Sequence, residues 1–153
     1  MTTPLYTTAI LRLAASIPHD VRLGRPHASA EKRSPVCGSR IVVDVTTDAF
    51  GRITALGQEV RACALGQASA SVMGAHAVGR TAGDLSAARD DLAAWLAGRR
   101  DDPGNWPGLD IFAAARPHAP RHASILLAFD AAAEAASLAS TSCELKPSVQ
   151  AAA

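Results

Sequence analysis

The chain has 153 residues, 48% hydrophobic and 4% aromatic, with a formal net charge of +1; that is enough for one domain with a sizeable core, and the abundant alanine favours closely packed helices. No Lys/Arg run marks a nucleic-acid footprint or a polybasic membrane anchor, and no apolar run reaches the roughly 18 residues of a membrane span. Three cysteines, an odd number, stand widely spaced, which argues against a disulfide framework and toward metal, redox chemistry or plain burial.

The N-terminal MTTPLYTTAILRLAASIP has an apolar segment without a basic region before it or an early cleavage site, so it reads as an amphipathic helix of a cytoplasmic protein. Leu5, Ala9, Ile10 and Leu13 share one face of a helix over 5–16, which Pro18 ends. Residues 23–30 are weakly strand-like. Pro35-Val36-Cys37-Gly38 forms a turn, and Arg40 to Thr46 is the clearest strand, with Ile41, Val43 and Val45 on one face and Val42 and Asp44 on the other. TDAFGR closes a hairpin at Gly51, and Ile53 to Val60 returns.

After Cys63 the pattern turns helical. ALGQASASVMGAHAVG is a helix of small residues. Thr81 and Asp84 resemble a capping box that opens a second helix, with Leu85, Ala88, Leu92, Trp95 and Leu96 as its apolar stripe and Gly98 at its end. A Pro/Gly loop, a short helix around Leu109 to Ala115 and a last helix from Pro120 to about Leu138 follow, with Ile125, Leu126, Phe129 and Ala133 as the buried face. The Ser/Thr/Ala-rich residues 140–153 read as a disordered C-terminal tail behind a domain of residues 1–139. The fold class is α+β: a small three-stranded antiparallel sheet packed against a layer of helices, with helices at both chain ends.

In such a meander, the start of the middle strand and the end of the third lie at the same sheet end. Cys37 and Cys63 can therefore meet there, 26 positions apart in sequence. Cys63 also stands at a helix N-terminus, whose partial positive charge favours the thiolate that binds zinc or iron. The alternative is that both are small buried hydrophobes.

PVCGSRI, the hairpin and ACALGQASASVMGAHAVG resemble the U-type iron–sulfur cluster scaffold family, the NifU N-terminal domain and its IscU and SufU relatives, over about residues 5 to 138. The stretch from Cys63 to AlaSerAlaSer at 68–71 is the more specific part; PRHASILLAF at 120–129 is similar to the family's third motif. The resemblance implies a scaffold or carrier that takes sulfur from a cysteine desulfurase and passes clusters to downstream apo-proteins. It places the cluster or metal on Cys37 and Cys63, with His122 as a further metal ligand. It also marks departures: Ser39 stands where the family has an acidic ligand, and Ala123 where it has a third cysteine. A methyl group is no donor, so the resemblance implies a degenerate scaffold. Either two chains share a [2Fe–2S] cluster through two cysteines each, as a homodimer, or the chain holds zinc. The competing reading is a metal-free or zinc-bound adaptor that docks on the desulfurase and modulates it. Both are binding proteins rather than enzymes. A thiol enzyme with Cys63 as nucleophile and His122 as base lacks a visible orienting group or oxyanion motif.

The other candidates read as structural. His76 belongs to helix packing, His118 is solvated between prolines, and His19 and His27 precede the sheet without metal spacing. Asp90-Asp91 and Asp101-Asp102 read as solvated charges, Trp95 as core, Trp106 as a loop anchor and Cys143 as an exposed bystander.

Overall fold

The structure, a computed structural model, describes residues 5–35 and 38–152, with side chains only as far as 141. Three antiparallel strands lie in the order β1 (Ala28–Arg33), β2 (Arg40–Thr47), β3 (Ile53–Arg61). The helices are α1 (Thr8–Ala15), α2 (Ala64–His76), α3 (Ala82–Leu96) and α4 (His122–Ala152), with 3-10 stretches at Leu109–Ala115 and Ala119–Arg121. This is the α+β arrangement of a small sheet under a helical layer.

Alternation on β2 builds the core. Ile41, Val43 and Val45 are fully buried, and across the register they meet Val60, Gln58 and Leu56 on β3. On β1, Ala30 and Ala28 stand opposite Val43 and Val45. α4 packs on this face against β1 and β2, and α2 and α3 pack on α4. Alanine permits the close approach: Ala128, Ala131, Ala132, Ala135 and Ala136 are all fully buried along α4.

The segment Ala119–Thr141 is, contrary to the sequence reading, long and apolar enough to cross a membrane, with a mean hydropathy of 1.3. In the fold it is the central core helix, and Ile125 and Phe129 are fully buried within it. α4 also continues to Ala152, past the end near Leu138 that composition suggests.

Other boundaries move. β1 begins five residues later than the strand-like stretch at 23, because the chain before it has another task. Residues 18–23 cross the second face of the sheet, where Gly57 lies so close to the Val21 carbonyl oxygen and to Leu23 that a Cβ there would collide. Hence Val42 and Asp44 are buried as well. On α1 only Ile10 is buried; Ala9, expected on the apolar face, is exposed. The capping box of α3 forms as read: Thr81 Oγ1 accepts from Asp84 N, and Asp84 accepts from Thr81 N. Gly98 follows the helix in the left-handed conformation, at φ 81°.

Candidate functional site

Arg40 pairs with Arg33 on one side and Arg61 on the other. The loop 34–39 and the β3–α2 junction therefore leave the sheet at one end. The loop is pinned at its base: Ser34 N donates to the Ser39 carbonyl at 2.9 Å, and Gly38 N donates to the Ser34 carbonyl at 3.0 Å. Gly38 has φ 72°, a conformation that favours glycine. Cys37 itself lies outside the described residues.

Cys63 is the N-cap of α2. Its side chain makes no capping hydrogen bond, is half-buried and packs against the core. Its carbonyl accepts from Gln67 N at 2.9 Å, and Gln67 Nε2 donates to the Ala62 carbonyl at 3.0 Å, which fixes the chain around the thiol. The residue stands at the N-terminal end of a 13-residue helix, where amide N–H groups favour negative charge.

The first turn of α4 comes to the same end. A Cβ on Gly66 would lie 2.8 Å from Ala62 Cβ and 3.3 Å from the Ser124 carbonyl oxygen, so glycine here relieves a clash with Ala62 and eases the close approach of the two helix starts. Ser69 Oγ donates to the Ile125 carbonyl, and Trp106 Nε1 reaches the Val72 carbonyl at 3.0 Å while its ring stands edge-on to Phe129. Successive contacts 66 with 124 and 69 with 125 show the helices starting together and running in the same sense. Two helix N-termini thus converge beside the 34–39 loop. Gly66 and Ser124 were missed in the sequence; a glycine in the first turn of a helix is the signal that could have found them.

His122 is the first residue of α4. Its Nε2 lies 2.9 Å from the Ala115 carbonyl and 3.1 Å from the Arg116 carbonyl, so it carries a proton and donates. The ring ties down the preceding 3-10 stretch, and Nε2 is thereby committed to these carbonyls. Ser39 is buried, and Ala123 adds a methyl group to this first turn. Among the described residues, no three of His, Cys, Asp or Glu gather closely enough to hold a metal ion. The described donors, Cys63 and one nitrogen of His122, do not by themselves fit a four-coordinate zinc.

The remaining candidates have structural partners. His76 stands edge-on to Trp106, and His27 Nδ1 accepts from Thr47 N at 3.0 Å. The His19 carbonyl accepts from Val21 N and Gln58 N. Asp91 and Asp102 both pair with Arg100, and Trp95 is buried under the Arg116 guanidinium. The side chain of Cys143 lies outside the described ones.

Neither a scan against protein-family models nor a search of curated proteins finds a match. Solved structures do. A NifU-like protein (N-terminal) from Brucella abortus superposes with a TM-score of 0.83 at 36% identity, covering 90% of this chain and 95% of its own. A structure described as a putative iron–sulfur cluster assembly scaffold protein for the SUF system, from Fervidobacterium islandicum AW-1, shares the fold at 19% identity, with a TM-score of 0.79 over 86% of this chain and 96% of its own. A hypothetical protein at 22% identity shares it with a TM-score of 0.75, over 87% of this chain and 97% of its own. By identity and by fold over nine-tenths of its length, the chain belongs to the NifU N-terminal-like family.

Proposed function

We propose that the chain is an iron–sulfur cluster scaffold or carrier of the cytoplasm, a binding protein rather than an enzyme, with Cys37 and Cys63 as its thiolate ligands. The observation that carries this reading is the convergence of the α2 and α4 N-termini with the 34–39 loop, beside a Cys63 thiol that makes no capping hydrogen bond. Two helix ends favour an anionic cargo beside that thiol. The cargo is an iron–sulfur cluster. Two cysteines per chain leave a Cys₄ set half complete, so the cluster bridges two chains as [2Fe–2S], and His122 Nδ1 is a further donor among the described residues of the corner. Sulfur comes from a cysteine desulfurase, and apo-proteins take the product.

Iron and acid-labile sulfide content of protein purified without oxygen, read with its visible spectrum and native mass, tests this. A brown dimer holding both elements, bleached by Cys37→Ala or Cys63→Ala, is the expected result. Colourless protein after reconstitution overturns it, and a cluster on a monomer overturns the sharing. A second reading is favoured by the committed Nε2 of His122 and by Ala123: an adaptor, metal-free or holding zinc, that docks on the desulfurase and modulates it. In a desulfurase assay, equal effects of the wild type and the Cys37→Ala/Cys63→Ala variant select the adaptor.

A further inference from the structure

On the face of the sheet away from α2 and α4, the row nearest the 34–39 loop consists of Arg33, Arg40 and Arg61, side by side on three strands in direct register. Like charges directly opposite one another destabilise a sheet. The next row, Glu31, Val42 and Glu59, offsets this in part. Arg40 bridges Glu31 and Glu59 at 2.6 Å each, and Arg33 shares Glu31 at 2.9 Å. Arg61 is exposed and has no ion pair among the described residues, and the Arg33 side chain is 72% exposed. Three cations thus stand against two carboxylates, with the unpaired cation on the outer strand β3.

We propose that this row docks an acidic polypeptide segment. Strands about 4.8 Å apart spread the three guanidinium groups over about 10 Å, enough to receive two carboxylates about 7 Å apart on alternate residues of an extended chain. Arg33 and Arg61 are the receiving groups, and Arg40 is held between its two glutamates as the centre of the row. A nucleic-acid backbone fits less well. Two receiving cations match two carboxylates, whereas a nucleic acid presents a continuous track of phosphates that needs a longer basic stripe, and no Lys/Arg run supplies one. The surface goes beyond the cluster corner: it lies on the opposite face at the same sheet end, and it does not depend on what the corner carries.

The test uses the full chain labelled with ¹⁵N, titrated with a synthetic peptide of alternating Glu and Ser, and reads the arginine Nε–H resonances. The result expected is saturable shifts of Arg33 and Arg61, with affinity falling at least about tenfold in Arg33→Gln/Arg61→Gln and again as salt rises from about 0.05 M to about 0.5 M. Both residues are exposed and Arg40 keeps its glutamates, so the variant folds; a thermal melt checks this. Absence of saturable shifts, equal affinity of the double variant, or an oligothymidylate that binds as tightly as the peptide would overturn the proposal.

Discussion

Val43 and Asp44 are neighbours on β2, both fully buried, and they face opposite sides of the sheet. Val43 meets α4 and the other aliphatic residues of the core, and its burial is favourable through apolar area alone. Asp44 is buried beneath its own chain. Its Oδ2 accepts from Arg22 Nε at 2.7 Å and Leu23 N at 3.0 Å, while its Oδ1 accepts from Arg22 Nη2 at 3.0 Å and from Ser29 Oγ. Burial pushes this carboxyl up, but the hydrogen bonds from Arg22, Ser29 and Leu23, with the Arg22 charge, outweigh it and hold the group below the usual carboxylate range. One face tolerates substitutions that preserve volume. The other depends on Asp44 to hold Arg22 and Leu23 across it.

The core face should show the largest effect. Phe129 is fully buried on α4 against Trp106, and Phe129→Ala should cost about 3–5 kcal/mol in urea unfolding. Asp44→Ala should cost less, about 2–3 kcal/mol, because Arg22 is half-exposed and returns to water. It should also raise amide exchange at 18–23 selectively; uniform exchange across the sheet would show that the two faces are not separable.

The pH dependence distinguishes the faces further. A carboxyl held below its unfolded value of about 3.9 contributes stability that is full above that value and is lost as pH falls through the folded one. Glu31 and Glu59 are also held low, each chiefly by a hydrogen bond from Arg40, and act in the same direction. The urea midpoint should therefore fall as pH drops below about 4, and Asp44→Asn should flatten that fall while Val43→Ala leaves its shape unchanged.

Smaller effects probe the site end. Gly66→Ala gains about 1 kcal/mol of helix propensity but crowds Ala62 and Ser124, for a net loss of about 1–2 kcal/mol. It should change the alkylation rate of Cys63, and an unchanged rate would separate the thiol from the approach of the helices. Thr81→Ala touches neither sheet face and should cost about 1 kcal/mol through its cap alone, read as a lowered melting temperature.

Local rules made several of these features legible. Alternation at 41–45 marked β2, Thr81 and Asp84 marked the start of α3, and the stripe from Leu85 to Leu96 marked its buried face. The meander placed the start of β2 and the end of β3 at one sheet end, as the pairing of Arg40 with Arg61 shows; Cys37 itself lies outside the described residues. The resemblance carried by PVCGSRI and the Cys63 region named the family. Segments whose partners lie far along the chain were not legible. Residues 23–27 resemble a strand, yet residues 18–23 serve as a cover, because Asp44 and Gly57 bind them from about 20 and 35 positions away.

The sequence by itself determined most of the elements and the α+β class, since propensity, capping and alternation act over a few residues. Only the tertiary structure decided that α2 and α4 start together across Gly66, that His122 gives one nitrogen to the Ala115 and Arg116 carbonyls, and that Arg33, Arg40 and Arg61 stand in one row. Each depends on strand register or close packing between distant segments, and those are fixed when the chain folds as a whole.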